Sequence, residues 1–136
     1  MCTLVLVHQP DRPFLLLSNR DEFLDRPTAP LDYWPDAPIL AGRDLLSGGA
    51  WLGFAANRRW AVLTNIPGQA PLDPPTRGTL VLNFLTSQLS PQHYAQGIER
   101  ERYAGFNLLL GAADDLCYLS SLEAPRSLPP GIYAVG

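Results

Sequence analysis

The chain alternates short apolar runs with clusters of turn residues. Thr3 to Val7 and Phe14 to Ser18 are two such runs, separated by the turn residues Pro10 to Pro13, and this pattern predicts a first hairpin. Both runs are apolar at successive positions, and a strand that is apolar on both faces needs cover on both. We therefore expect this hairpin to lie inside a layered structure.

A second hairpin is predicted after a proline-rich stretch. The four prolines of residues 26–38 disfavour regular structure, so this stretch is predicted to be an ordered loop. Trp51 to Ala55 and Trp60 to Asn65 are the next apolar runs, and Asn57-Arg58 between them is typical of a turn. The first half of the chain thus predicts four strands.

Helical spacing begins after the second hairpin. One helical face, at positions i, i+3, i+4 and i+8, carries Val81, Phe84, Leu85 and Leu89. This spacing predicts a helix that begins near Arg77. Ser90 followed by Pro91 is typical of an N-cap with a proline in the first turn, which predicts a second helix to about residue 102.

A third hairpin completes the predicted elements. Phe106 to Ala113 and Leu116 to Ser121 are joined through Asp114-Asp115, and Ile132 to Val135 begins a further strand. Strands that are apolar on both faces, with the helices grouped together, favour an α+β layered fold. Two sheets face to face with helices outside is one arrangement, and a single sheet covered by helices is the other. Periodicity alone does not separate them.

Composition narrows the class of protein. A chain of 136 residues with 46% apolar and 17% charged residues fits one globular domain with one core. No apolar run approaches the roughly 18 residues of a membrane span. The net charge is -3, and the ten basic residues, all arginine, are scattered, which argues against nucleic-acid binding. The N-terminus has no basic region before its short apolar run, so we expect a cytoplasmic protein.

Neither a metal nor a cofactor is predicted. His8 and His93 stand alone, without metal-ligand spacing. Gly48-Gly49 lacks the following Lys and Ser or Thr of a phosphate-binding loop. Cys2 and Cys117 could form one bridge, but we expect reduced thiols in a cytosolic chain.

Cys2 is the first candidate for chemistry, because its small side chain permits removal of Met1 and would leave a cysteine with a free α-amine. The α-amine has a reference pKa of about 7.7 to 8.0, so it can take the thiol proton and activate the sulfur as a nucleophile. The other interpretation is a small apolar residue in a buried strand. Position alone favours the buried apolar residue, because buried free cysteine is common.

Four polar residues, Asn19-Arg20-Asp21-Glu22, follow the second apolar run abruptly. In an antiparallel hairpin the end of the second strand lies beside the start of the first, so we expect Arg20 and Asp21 close to Cys2. An aspartate there could hold the α-amine, and an arginine could favour the thiolate and orient a carboxylate. A solvated turn held by salt bridges would use the same residues.

Asn65 ends the predicted strand of residues 60–65, where its amide could donate to an oxyanion that develops during acyl transfer. We expect this strand beside the first hairpin in the same sheet, so that Cys2, Asp21 and Asn65 converge on one cleft. Ordinary turn chemistry before Pro67 is the other interpretation of the asparagine.

Several motifs occur in a recognisable order. MC opens the chain, SNRDEF occupies residues 18–23, GGAWLG residues 48–53 and LTN residues 63–65. This order resembles the NRDE family, also called transport and Golgi organisation family proteins. The resemblance implies an N-terminal nucleophile (Ntn) hydrolase-like fold, a four-layer αββα sandwich distantly similar to choloylglycine hydrolases and penicillin V acylases. It also implies Cys2 as nucleophile, Asp21 as support of the amine and Asn65 as part of an oxyanion hole.

The leading hypothesis from this resemblance is an amidohydrolase that acts on a nonpeptide C–N bond of a small molecule. Arg20 is then a further catalytic residue, and substrate binding is assigned to Asn19, Glu22 and Trp51. The rival hypothesis is a carrier that keeps the scaffold as a pocket for haem, acyl-CoA or another lipid, with Trp34, Trp51 or His8 as binding residues. An interaction domain is a third possibility. Homo-oligomer formation is left open.

The resemblance also bears on the extent of the domain. Family members continue beyond the point that matches Gly136, so residues 1–136 are expected to be a single domain truncated at its C-terminal end. Apolar residues of the sheets should then be exposed where the remainder would cover them.

Overall fold

Two antiparallel sheets, packed face to face, hold most of the regular structure in the computed structural model, which describes residues 2–68 and 70–136. In chain order the elements are β1 (Thr3–His8), β2 (Leu15–Asn19), β3 (Thr28–Tyr33), β4 (Ile39–Asp44), β5 (Leu52–Ala55), β6 (Arg59–Asn65), α1 (Gly78–Thr86), α2 (Pro91–Gln96), a 3-10 turn (Arg100–Arg102), β7 (Phe106–Ala112), β8 (Asp115–Ser120), β9 (Arg126–Ser127) and β10 (Gly131–Val135). None of the helices in these residues has the length and apolarity needed to cross a membrane.

The strand order separates the first hairpin from the other hairpins. The smaller sheet has three strands in the order β10-β1-β2, and the larger has seven in the order β3-β4-β5-β6-β7-β8-β9. The larger sheet therefore follows chain order, with the two helices inserted between β6 and β7. In the smaller sheet, the pairing of Leu4 with Val135 joins the two ends of the described chain.

The larger sheet has a core on each face. Alternate residues of β6 point to opposite sides, so Ala61 and Leu63 pack with the helices, whereas Trp60 and Val62 pack with the smaller sheet. The first core also contains the helical residues Leu80, Val81, Phe84, Leu85 and Ala95. The smaller sheet contributes Leu4 and Leu6 to the second core. β6 is apolar at successive positions because both of its faces are covered.

The predicted α+β class, as a four-layer αββα sandwich of the Ntn type, is wrong. The structure is mostly antiparallel sheet, with 40% of residues in strands and 13% in helices. Both α-helices pack on the larger sheet, and among the described residues no helical one belongs to the core between the sheets. The second predicted helix ends early because the α-helical hydrogen bonding stops at Gly97, so α2 has only six residues.

The predicted loop over residues 26–38 is also wrong, because β3 lies there. Pro30 is tolerated because β3 is an edge strand, where a missing N–H costs no ladder bond. The pairing register shifts between Ala29 and Asp32, on either side of the proline. Proline composition therefore marked an irregular edge strand rather than a loop.

The remaining predicted elements are present with shifted ends. The three predicted hairpins match β1–β2, β5–β6 and β7–β8 to within about a residue at most ends, and the last predicted strand is β10. Ser90 accepts a hydrogen bond from the His93 amide at 3.2 Å, which confirms the predicted N-cap. Leu89, assigned to the face of the first helix, lies beyond the end of α1 and is exposed.

Apolar residues on the outer face of the smaller sheet are exposed to solvent. Leu15, Leu17 and Ile132 are 52%, 56% and 72% exposed. Their neighbours in the same strands, Leu16 and Tyr133, pack into the core between the sheets. The pleat thus divides these apolar strands into one covered face and one open face.

Two glycines let the β4–β5 turn approach the start of α1. A Cβ added to Gly78 would lie 2.9 Å from the Gly49 Cα and 3.0 Å from the Ala50 nitrogen. A Cβ on Gly49 would lie 2.7 Å from the Gly78 Cα. The backbones touch directly, so any side chain at either position must push the turn and the helix apart.

Replacement of Gly78 tests this contact. We expect Gly78→Ala to lower the free energy of unfolding by about 1–3 kcal/mol, because backbone atoms on both sides must move. Gly97→Ala is the matched control, since its Cβ would meet nothing closer than 3.5 Å. Urea denaturation of both variants measures the difference. Equal stability of the two would contradict the close approach.

Candidate functional site

The register of the first hairpin places Cys2 beside the end of β2. Thr3 pairs with Asn19, and the Asn19 side-chain oxygen accepts a hydrogen bond from the Thr3 amide at 2.8 Å. The next residues on each strand then meet. The Asp21 amide donates to the Cys2 sulfur at 3.4 Å, and the thiol contacts the Asp21 carbonyl oxygen at 3.8 Å. The sulfur is therefore held by the backbone of the NRDE stretch.

All seven residues that the sequence analysis assigns to catalysis or substrate binding by a hydrolase line one cavity of about 330 Å³. They are Cys2, Asn19, Arg20, Asp21, Glu22, Trp51 and Asn65. The cavity lies where the end of β2, the β4–β5 turn, the end of β6 and the start of α1 come together. Their roles in catalysis and binding stay predictions, but their grouping in space is a property of the fold.

Asn65 reaches the cavity from the larger sheet. The prediction that its strand lies beside the first hairpin in the same sheet is wrong, because β6 pairs with β5 and β7. All seven residues of β6 pair with β7, and Arg59 to Val62 pair with β5 on the other side. Among the described residues, the Asn65 side chain has no hydrogen-bond partner. Its amide is therefore available to a ligand.

A chain of ion pairs forms one wall of the cavity. Glu22 lies 3.6 Å from Arg20 and 3.7 Å from Arg26. Arg26 in turn donates two hydrogen bonds to one oxygen of Asp44, at 2.9 and 2.6 Å. These ion pairs connect the segment after β2 with the end of β4, so they fix these two parts of the cavity wall relative to each other.

Asp44 accepts hydrogen bonds through both of its carboxylate oxygens. Its other oxygen accepts hydrogen bonds from the Leu46 amide at 2.9 Å and the Ser47 amide at 3.2 Å. Burial opposes ionisation of Asp44, but the hydrogen bonds from Arg26 and from these two amides outweigh it, so its pKa lies below the ordinary value. Asp44 is therefore an ionised carboxylate that organises the turn.

Arg20, besides its pairing with Glu22, contacts Trp51. The Arg20 guanidinium lies 4.2 Å from the centroid of the Trp51 ring, within cation–π distance. The edge of the indole ring packs against Gly42, where an added Cβ would lie 2.8 Å from two ring carbons. The contact with Gly42 thus fixes the indole ring, and the face of the ring supports the Arg20 guanidinium.

Sequence reasoning missed three charged residues of the cavity, Arg26, Asp44 and Arg77. Arg26-Pro27 follows the NRDE stretch but received no role, and Arg77 was treated only as the start of a helix. A signal for Asp44 was present, because an aspartate before Leu46, Ser47 and two glycines is typical of a turn whose side chain caps backbone amides.

Other candidates from the sequence lie away from this cavity. Cys117 is fully buried in the core beneath the helices, and burial raises the pKa of its thiol. Trp34 donates its indole N–H to the Ala41 carbonyl and stacks with Arg43. His8 ends β1 opposite Gly131. No group of three or more His, Cys, Asp or Glu side chains within residues 2–68 and 70–136 is arranged to hold a metal ion.

Comparison with known proteins identifies a family and its members. The model of the family described as Transport and Golgi organisation 2 matches residues 1–136. The chain is 35% identical to the mouse Transport and Golgi organization 2 homolog in an alignment that covers 89% of this chain and 49% of the relative. It is 34% identical to the human Transport and Golgi organization protein 2 homolog, with the same shares of both chains. The chain thus spans about half the length of these relatives.

The pH dependence of stability should report on Asp44. Because its pKa is lower in the folded than in the unfolded state, its contribution is present above the unfolded value and is lost as the pH falls through the folded value. We expect Asp44→Asn to lower the free energy of unfolding at pH 7 by about 1–3 kcal/mol. The difference from the natural protein should shrink below about pH 4.

Asp25→Asn is the matched control for this measurement, because Asp25 is an exposed residue of the same segment. It should change stability by less than about 0.5 kcal/mol. Urea denaturation between pH 3 and pH 8 compares the three proteins, the pH range being set by roughly the carboxyl titration. A deficit of Asp44→Asn that is the same at all pH values would contradict the assignment.

Proposed function

The chain belongs to the Transport and Golgi organisation 2 family, and on this premise we propose that the cavity at Cys2 hydrolyses nonpeptide amide bonds of small molecules. The names of the relatives refer to transport and Golgi organisation and to no reaction. The proposal therefore rests on the chemistry of the cavity. The observation that carries it is that a thiol and an unpaired side-chain amide line the same small cavity: Cys2 directly before β1 of the smaller sheet, and Asn65 at the end of β6 of the larger one.

The first half of the reaction would form a thioester on Cys2. Removal of Met1 gives Cys2 an α-amine, which takes the thiol proton while the sulfur attacks the carbonyl carbon of the substrate. The carbonyl oxygen becomes an oxyanion, and the Asn65 side-chain N–H donates to it. When the C–N bond breaks, the α-ammonium returns its proton to the leaving amine.

The second half would release the acid. The free α-amine takes a proton from water, and the oxygen of that water attacks the thioester carbonyl. Asn65 again donates to the oxyanion, and collapse of this intermediate breaks the C–S bond. The sulfur takes the proton back from the α-ammonium, so the thiol and the amine are both regenerated.

The other residues of the cavity would act by positioning. Asn19 uses its side-chain oxygen on the Thr3 amide, so it sets the position of Cys2. Glu22 pairs with two arginines and so belongs to the wall rather than to the reacting centre. Arg20 and Trp51 present a stacked surface that a flat substrate group could contact. The expected cytoplasmic location and the oligomeric state stay predictions.

The test compares Cys2 variants of the full-length protein after intact mass has shown whether Met1 is removed. Processed protein should release amine from members of a panel of small-molecule amides, and Cys2→Ala should abolish the release without changing the unfolding curve. Turnover that persists in Cys2→Ala would sink the proposal. Haem or acyl-CoA binding that survives in Cys2→Ala, with no turnover by the processed protein, would favour the carrier hypothesis.

Asn65→Ala tests the oxyanion role separately. We expect kcat to fall about 100- to 1,000-fold, the usual cost of removing one oxyanion donor, with little change in stability. Asn83→Ala is the matched control, because Asn83 is an exposed residue on α1. Steady-state kinetics on one amide substrate measures both variants. Equal kcat values for them would contradict the role of Asn65.

A further inference from the structure

Arg77 differs from the other arginines of the cavity in having no acidic partner. Arg20 pairs with Glu22, and Arg26 pairs with Asp44. In the part of the chain that the structure describes, Arg77 makes one hydrogen bond, from Nη1 to the Gly105 carbonyl at 2.7 Å, and no ion pair. A guanidinium has five N–H donors, and Arg77 uses one of them. Because Arg77 lines the cavity, the remaining donors can bind a ligand there.

A second partly enclosed arginine shows how a purely structural guanidinium is satisfied in this fold. Arg59 is 6% exposed and donates to the carbonyls of Phe84 and Leu89 and to the Ser87 hydroxyl. It has three acceptors at the end of α1, where a cation is favourable. Arg77, at the beginning of the same helix, has one acceptor, the Gly105 carbonyl.

Burial is the main cause that lowers the pKa of Arg77, and the nearby charge of Arg26 adds to it. The charges of Glu22 and Cys2 act in the opposite direction but do not cancel the two, so the net effect disfavours the charged form of this side chain. An arginine remains charged in proteins, so the site carries a cost that an anion would relieve.

The position of Arg77 is fixed relative to the proposed oxyanion donor. The Gly105 carbonyl that accepts from Arg77 also accepts from the Ile66 amide at 2.9 Å, and Ile66 follows Asn65 directly. On its other side, Arg77 precedes Gly78, whose backbone touches Gly49. The guanidinium is therefore held at a set distance from the end of β6.

We propose that Arg77 anchors a carboxylate of the substrate, so that the cavity accepts amides carrying one negative charge. The planar fork of a guanidinium matches the two oxygens of a carboxylate. The three acidic side chains Asp21, Glu22 and Asp44 also line the cavity, so a doubly charged phosphate would meet more repulsion than a carboxylate. This inference rests on the proposed function only in taking the Cys2 cavity as the reaction site.

Binding to an inactive protein separates this inference from catalysis. The full-length Cys2→Ala protein is titrated with N-acetylglycine and with its uncharged analogue N-acetylglycinamide, followed by NMR. N-acetylglycine should bind more tightly, and Arg77→Met should weaken it about 10- to 100-fold while leaving the analogue unaffected. Arg77→Lys should retain part of the preference, because a point charge replaces the fork. Inorganic phosphate should bind more weakly than N-acetylglycine.

Arg102→Met is the matched control, because Arg102 is exposed and pairs only with Glu99 near the 3-10 turn. If Arg77→Met alters the unfolding curve, modification by phenylglyoxal supplies a second measurement. Arg77 should be modified in the natural protein, and N-acetylglycine should protect it. Equal binding of both probes, or no protection, would overturn the inference.

The outcomes distinguish the two proposals. Binding that depends on Arg77, without turnover of any amide, would support the role of Arg77 and contradict the proposed hydrolysis. Turnover in which Arg77→Met raises KM for charged amides, with KM for neutral amides and kcat unchanged, supports both. Turnover that depends neither on the charge of the substrate nor on Arg77 would support the proposed hydrolysis and contradict the role of Arg77.

Discussion

The site depends first on the register of the hairpin formed by β1 and β2. The pairing of Thr3 with Asn19, strengthened by the hydrogen bond between the Thr3 amide and the Asn19 side chain, places the Cys2 sulfur over the backbone of Asp21. A slip by one residue would turn every side chain of the strand to the opposite face. Leu4 and Leu6 would then leave the core between the sheets, so the same burial that stabilises the fold fixes the thiol.

The second constraint is that the site spans two sheets. Cys2 directly precedes β1 of the smaller sheet, whereas Asn65 ends a strand of the larger one. Their separation is set by the core in which Leu4 and Leu6 pack against Trp60 and Val62. Close-packed interiors deform little, so such a core can hold a thiol and an amide donor in place without any direct contact between them. The glycine contact between the β4–β5 turn and α1 then brings Arg77 to the same cavity.

The sequence predicted local features well and long-range ones poorly. The convergence of Arg20 and Asp21 on Cys2 followed from one antiparallel hairpin, whose geometry is local. Pro30 misled because composition does not distinguish a loop from an edge strand, and only the neighbouring strand shows which one forms. Asn65 was assigned to the wrong sheet because chain order does not state which strands pair. Arg77 was missed because an unpaired guanidinium is visible only when its surroundings are known.

The most direct test of the account is to trap the acyl group on the protein. Processed full-length protein is mixed with a small N-acyl p-nitroanilide, quenched in acid during turnover and digested for peptide mapping by mass spectrometry. The account predicts one acyl group as a thioester on Cys2, with p-nitroaniline released before the acid. Release of p-nitroaniline with the acyl group on another residue, or with no acylated peptide under conditions that preserve thioesters, would contradict it.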